Sequence, residues 1–142
     1  MVDKQNNHFE GAIPILNVSN VPASVDYYVN HLGFTMKWQW GEPPTFACVG
    51  RDKVTIYLCE GAQGQPGTWI MIFVEDVDAL YADYRQRGAK VVQPPTNMPW
   101  ETREMNVEDP DGHRLRFGGD ATGPADPNEV KRYWDAVQLS DR

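Results

Sequence analysis

Hydrophobic and polar residues follow the same order twice along the chain. A shift of 56 residues lays Asn17–Tyr28 over Phe73–Tyr84. Four hydrophobic or aromatic pairs then coincide: Val18 with Val74, Val21 with Val77, Ala23 with Ala79, and Tyr28 with Tyr84. Self-similarity at one fixed spacing indicates two copies of one structural unit.

Each copy reads as a strand, a helix and three more strands. Asn20 and Asp76 precede the periodic apolar runs and suit helix N-caps. Gly33 and Gly88 close the helices, where a left-handed residue favours glycine. Turn-bounded runs of β type then follow: Phe34–Trp40, Phe46–Gly50 and Val54–Cys59, and later Lys90–Gln93, Thr102–Glu108 and His113–Phe117. The pattern predicts an α+β fold, with two tandem βαβββ units forming a concave mixed sheet.

These units define the expected domain organisation. We predict a single domain over 1–142, with the first unit at 11–60 and the second at 68–118, because 142 residues suit one domain. A C-terminal helix is expected at 126–139, where Asp126 and Pro127 supply an N-cap and a first-turn proline. One face of this helix carries residues expected to pack rather than to bind: Val130, Tyr133, Trp134 and Val137.

Charge and composition exclude several functions. The 20 acidic and 13 basic residues give a net charge of −7, which repels a phosphate backbone and argues against nucleic acid as a partner. No apolar run is long enough for a membrane span, and the start lacks a secretory signal, so a cytoplasmic location is expected. Cys48 and Cys59 lack metal-type spacing and are expected to be buried, reduced thiols.

Several phrases match a known superfamily. They are AIPIL at Ala12–Leu16, HLGF at His31–Phe34, FVEDVDALYADY at Phe73–Tyr84, and PWETRE followed by DPDGHRLRF within Pro99–Phe117. Over roughly residues 12–118 the chain resembles the vicinal oxygen chelate superfamily of glyoxalase I, extradiol dioxygenases and bleomycin-resistance proteins, and most closely the bleomycin-resistance proteins. LGF and DPDG occur across that superfamily and therefore support only the fold. The PWETRE phrase is more selective.

Metal-using members of this superfamily take their ligands from fixed strand positions. The matching positions here hold Ile13, Trp69 and Arg116. The first two side chains offer no lone pair, and the third is a permanent cation. The strand VTIYL adds no carboxylate, and His8, His31 and His113 share no strand face or helical pairing. We therefore predict no metal site, no cofactor and no catalytic residue of the metal-dependent type.

Strand alternation predicts which side chains line the concave face. The inward set is Ile13, Ile15, Asn17, Thr55, Tyr57, Trp69, Met71, Phe73, Arg114 and Arg116. The resemblance further implies that aromatic residues matching Trp38, Phe46 and Trp100 line a crevice shared by two subunits. The predicted ligand-binding residues are Trp38, Trp40, Phe46, Tyr57, Trp69, Met71, Phe73, Trp100, Arg114 and Arg116. The alternative is that the tryptophans fill the core or a dimer surface.

The charge of the ligand and the type of activity stay open at this point. Inward-pointing Arg114 and Arg116 favour an anionic ligand, unless they pair with Glu104 or Glu101. The leading hypothesis is a homodimer that sequesters a small aromatic molecule or an antibiotic such as bleomycin. Pro14 matches a family proline near the point where the first strand can exchange between subunits. The second is a diverged lyase, isomerase or dioxygenase using Tyr57, Glu104 or Arg116. The third is a protein-interaction domain.

Overall fold

Both halves of the chain fold as a strand, a helix and three further strands. A computed structural model describes residues 7–140, with the side chains of 7–136. The first half contains β1 (Ile15–Val18), α1 (Val21–Asp26), a π-helical turn (Tyr27–His31), β2 (Thr35–Trp40), β3 (Phe46–Arg51) and β4 (Val54–Glu60). The second contains β5 (Trp69–Phe73), α2 (Val77–Arg87), β6 (Lys90–Asn97), β7 (Thr102–Glu108) and β8 (Arg114–Asp120). The helix α3 (Pro127–Ser140) follows.

The two halves build equivalent four-stranded mixed sheets. The strand order is β1-β4-β3-β2 in the first and β5-β8-β7-β6 in the second. In each, the strand before the helix pairs in parallel with the last strand of its unit, and the other pairs are antiparallel. This arrangement confirms the predicted fold of two tandem βαβββ units with a C-terminal helix.

The helices begin and end at the residues that the sequence indicated. The Asn20 side chain accepts a hydrogen bond from the Ala23 amide at 2.9 Å, and the Asp76 side chain accepts one from the Ala79 amide at 3.0 Å. Gly33 and Gly88 both have φ of 75°, in the left-handed region. These caps set the direction in which each chain returns to its sheet.

One hydrophobic core joins the two sheets. Ile56 and Leu58 from the first sheet and Leu115 and Phe117 from the second belong to the same cluster of buried residues, together with the helical Tyr28 and Tyr84. Each sheet therefore turns its helix-facing side toward this core. The opposite face of each sheet, here called its outer face, points away from the core.

The turn between β7 and β8 ties the two units together. Asp111 accepts a hydrogen bond from the Ser19 amide at 2.9 Å, and the Tyr28 hydroxyl donates to Asp109 at 2.8 Å. His113 is fully buried: its Nδ1 accepts from the Thr68 amide at 3.0 Å, and its Nε2–H donates to the Asn17 carbonyl at 2.7 Å. These hydrogen bonds fix how the two units meet.

Strand β6 is longer than the sequence indicated. It continues through Pro94 and Pro95 to Asn97, with irregular register between Val91 and Thr96. Prolines are tolerated here because β6 is an edge strand, where one side needs no amide donors. The sequence predicted that this strand ends at Gln93, just before the two prolines.

Candidate functional site

Three aromatic rings form a packed cluster on the outer face of the first sheet. The rings of Trp38 and Phe46 are stacked, with centroids 5.4 Å apart and planes 4° apart. Tyr57 meets both edge-on, at 5.2 Å from Trp38 and 5.4 Å from Phe46. The strand register brings Trp38 and Tyr57 close together on one face of the sheet, because both lie opposite Cys48 on the strand between them. The sequence-predicted residues of β2, β3 and β4 are therefore brought together.

A groove runs over this cluster. We call it the aromatic groove; its volume is about 610 Å³, and it is lined by Trp38, Gln39, Trp40, Thr45, Phe46, Cys59, Glu60 and Gln63. Trp38 is 41% exposed and Trp40 is 70% exposed. The one ionisable carboxylate in the lining, Glu60, accepts a hydrogen bond from the Val21 amide at 3.0 Å. This volume falls in the range of about 300–1,000 Å³ typical of small-molecule sites.

The outer face of the second sheet also carries large apolar side chains. Trp69, Met71 and Phe73 are exposed on β5, while Ile72 between them is buried in the core. The alternation expected from the sequence is therefore seen in the strand. Arg114 lies beneath this row, with its guanidinium carbon 5.6 Å from the centre of the Trp69 ring.

Glutamates accompany both predicted arginines. The Nε–H of Arg116 donates to Glu104, and Glu104 also accepts from Nε1 of Trp100 at 2.7 Å and from the Thr102 hydroxyl. Arg114 is buried, and its Nη2 lies 4.0 Å from Glu108. The alternative of pairing with Glu104 thus holds for Arg116, whereas Arg114 has an ion pair with Glu108.

The helix α3 adds aromatic residues that were assigned only to packing. Tyr133 is buried beside Met98, as expected, but Trp134 remains 37% exposed with its ring centre 6.1 Å from that of Trp100. The sequence could have indicated that Trp134 does not pack on the same side as Tyr133, because neighbouring residues in a helix do not point in the same direction. The side chain of Val137, which the sequence placed on the same face, lies outside those described.

The predicted binding residues do not meet at one mouth within a chain. Trp38, Phe46 and Tyr57 lie on the outer face of the first sheet, whereas Trp69 and Trp100 belong to the second. The predicted binding residues of the two units therefore lie on separate faces within one chain. Because both sheets pack against a common core, their outer faces lie on different sides of it.

A second groove is lined by residues from both units. Its volume is about 760 Å³, and its walls include the β3–β4 turn at 51–54 and the β5–α2 connection at 73–76. Its lining includes acidic and basic side chains: Arg51 donates to the Leu32 carbonyl, and Asp83 pairs with Arg87. Of the predicted binding residues, only Phe73 contributes to its lining.

The donor set does not suit a metal ion. Ile13, Trp69 and Arg116 stand where the resemblance implies metal ligands, and none of them can donate a lone pair to a metal ion. Arg116 is already paired with Glu104. Within residues 7–136, no group of three or more His, Cys, Asp or Glu side chains is arranged to hold a metal ion. Cys48 and Cys59 are buried and free, as the sequence indicated.

No helix in the described part of the chain has the length and apolar character needed to cross a membrane.

The chain therefore consists of paired βαβββ units whose sheets carry aromatic side chains on their outer faces. The chain belongs to the glyoxalase/bleomycin resistance protein/dioxygenase superfamily, whose family model matches residues 6–117. A comparison with curated proteins gave no match.

Solved structures of the same superfamily share the fold. The bleomycin-binding protein of Streptomyces verticillus, solved with copper(II)-bleomycin, is 26% identical with a TM-score of 0.67, covering 82% of this chain and all of its own. A superfamily member from Sphaerobacter thermophilus is 26% identical with a TM-score of 0.63, covering 76% of this chain and 94% of its own. TioX from Micromonospora is 21% identical with a TM-score of 0.66, covering 78% of this chain and all of its own, and supports the fold alone.

Proposed function

We propose that this protein binds a small planar aromatic molecule in the aromatic groove and sequesters it without turnover. The observation that carries the proposal is the stacked, solvent-facing pair of Trp38 and Phe46, with Tyr57 packed against both. Rings held in contact by neighbouring strands need little reorganisation to accept another flat ring. Offset stacking adds about 0.5–1.5 kcal/mol per ring pair beyond the burial of apolar area.

The proposal includes a homodimer whose subunits complete each other's crevices. Within one chain the outer faces lie on different sides of the core, and each keeps a row of exposed apolar side chains: Ile15, Trp38 and Trp40 on the first, and Trp69, Met71 and Phe73 on the second. Contiguous apolar surface of this kind is characteristic of interaction sites. A two-fold axis that brings the first face of one subunit to the second face of its partner covers both rows and encloses two equivalent crevices.

The charges favour a neutral or cationic ligand. Arg116 is paired with Glu104, and Arg114 lies near Glu108, so neither arginine presents an uncompensated positive charge to the outer face. The chain as a whole carries a net charge of −7, which attracts cations at long range. A bleomycin-type antibiotic fits this proposal because the Streptomyces verticillus protein, 26% identical, is described with copper(II)-bleomycin. Resistance by sequestration in a reducing cytoplasm, where Cys48 and Cys59 stay thiols, is the corresponding biological role.

The enzymatic alternative has less support. Glu104 is 2% exposed and accepts hydrogen bonds from Trp100, Thr102 and Arg116, so its oxygens are occupied and shielded from a substrate. A general base must reach the proton that it removes, and Glu104 faces its own neighbours instead. We therefore favour binding over catalysis for this surface.

Calorimetric titration with metal-free bleomycin, copper-loaded bleomycin and isoquinoline tests the proposal. Saturable binding of at least one probe is expected, and Trp38→Ala should weaken it by about tenfold because a stacked ring and its buried area are lost. Tyr81→Ala, an aromatic truncation on α2, serves as the matched control and should bind as wild type. Absence of saturable heat with all three probes contradicts the proposal. Binding of isoquinoline alone removes the antibiotic and keeps the aromatic ligand class.

A further inference from the structure

Two tryptophans frame a second aromatic surface on the outer face of the second sheet. Trp100 lies in the β6–β7 turn and Trp134 in α3, with ring centres 6.1 Å apart and planes inclined by 51°. Their mutual contact leaves both rings open to solvent, since Trp100 is 48% exposed and Trp134 is 37% exposed. We call these two rings the tryptophan clamp.

Neighbouring residues hold both rings in place. The indole N–H of Trp100 donates to Glu104 at 2.7 Å. Trp134 meets the ring of Tyr133 edge-on at 5.5 Å, and Tyr133 is fully buried with its hydroxyl 3.3 Å from the Asn106 amide nitrogen. The clamp is therefore anchored from behind on both sides, while its solvent side stays open.

A guanidinium group lies at the base of the clamp. The central carbon of Arg116 is 5.7 Å from the centre of the Trp100 ring and 5.8 Å from that of Trp134. Among the described residues, only its Nε–H makes a hydrogen bond, to Glu104. The guanidinium of arginine carries five N–H donors, so its Nη groups are available to an acceptor placed between the rings.

We propose that the tryptophan clamp binds an uncharged planar aromatic ring that carries a hydrogen-bond acceptor at its inner edge, received by Arg116. The proposal rests on the aromatic-binding function and adds Trp134, which lies outside residues 6–117 of the family match, as a specificity-determining residue. Glu104 neutralises Arg116, so a ligand carboxylate gains little here and loses its hydration. A ring stacked between parallel indoles needs a spacing of about 7 Å, or two van der Waals contacts. The two rings are 6.1 Å apart and inclined by 51°, so Trp134 rotates toward the plane of Trp100 when the ligand binds.

The test follows the indole N–H signals of the five tryptophans by NMR of the isotope-labelled full chain. The probes are isoquinoline at mildly alkaline pH, naphthalene, which has the same shape without an acceptor, and 2-naphthoate, which adds a negative charge. Isoquinoline should shift the Trp100 and Trp134 signals saturably and bind at least about threefold more tightly than either other probe.

Variants of Trp134 identify its contribution. Trp134→Ala should weaken isoquinoline binding by about threefold to tenfold, as expected for the loss of one stacking partner. Trp134→Leu keeps apolar bulk against α3 but has no ring, and it should show the same loss. Trp134→Phe restores a ring and should stay within about twofold of wild type.

Three results would contradict the clamp, the ligand class or the proposed function as a whole. If the Trp38 and Trp40 signals respond while Trp134→Ala and Trp134→Leu bind isoquinoline as wild type, the clamp is wrong and the aromatic groove stands. Tighter binding of 2-naphthoate than of isoquinoline overturns the assignment of an uncharged ligand. If no indole signal responds to any probe, both the clamp and the proposed function fail.

Discussion

Tyr84 shows what a single buried hydroxyl contributes to this fold. It is 1% exposed in α2, and its hydroxyl donates to the Leu32 carbonyl at 2.8 Å, which joins the second unit to the end of the first helical segment. Burial raises the pKa of Tyr84 well above the ordinary tyrosine value, although the nearby Arg51 opposes the shift. The phenol therefore keeps its proton in the folded chain under conditions in which the unfolded chain loses it.

This difference predicts a loss of stability in alkali. Tyr84 does not affect the pH dependence below a pH of about 10, where it is protonated in both states; above that pH, the unfolded state releases the proton first and the free energy of unfolding falls. Tyr84→Phe should reduce this loss by about 1 kcal/mol per pH unit in urea unfolding between pH of about 10 and about 11. Equal slopes for wild type and Tyr84→Phe would contradict the prediction.

At the scale of elements, capping residues fix both ends of α2. Asp76 caps the N-terminus, and Gly88 closes the C-terminus at φ of 75° with its amide bonded back to the last turn. A Cβ built on Gly88 would meet nothing closer than a His31 ring carbon at 3.7 Å, so space is sufficient. The glycine is needed for its backbone angle and not for its small size.

Substitution of Gly88 separates the effect of its backbone angle from the effect of its small size. Gly88→Ala should lower the free energy of unfolding by about 1 kcal/mol, because an L-residue is strained in the left-handed region. Gly123→Ala is the matched control: its Cβ would also have its nearest neighbour at 3.7 Å, and its φ is not in that region. Urea unfolding should show no comparable loss for Gly123→Ala, and equal losses for the two variants would refute the backbone explanation.

At the scale of the molecule, the proposed dimer depends on the outer faces of the two sheets. Each sheet gives its helix-facing side to the common core and leaves an apolar row on its other side. Phe73 is 76% exposed on β5, so its ring contributes little to the fold of one chain. In the proposed dimer the same ring is buried against the partner.

Replacement of Phe73 by a charge therefore tests the assembly. Wild type is expected to sediment as a dimer, whereas Phe73→Asp should sediment as a monomer because an unpaired carboxylate in an apolar interface is costly. Both proteins should have the same far-ultraviolet circular dichroism. Gln86→Asp, at an exposed position of α2, is the control and should remain dimeric. A monomeric wild type, or a dimeric Phe73→Asp variant, would remove the shared crevice from the proposal.

Much of the fold could be predicted because it depends on local signals. The capping residues Asn20 and Asp76 act within three residues of their own position, and the alternation in β5 is a property of one strand. Prediction failed where partners come from distant segments. Trp134 of α3 meets Trp100 of the β6–β7 turn, and nothing in either segment indicates that contact.

The sequence by itself determined the repeated βαβββ order, the helix ends and the two faces of each strand, because hydrogen bonding and side-chain alternation act between near neighbours in the chain. Only the tertiary structure decided which glutamate accompanies each arginine, that α3 brings Trp134 beside Arg116, and that the two aromatic faces lie apart in one chain. These features depend on how sheets and helices pack around the common core, and packing joins residues that are far apart in the sequence.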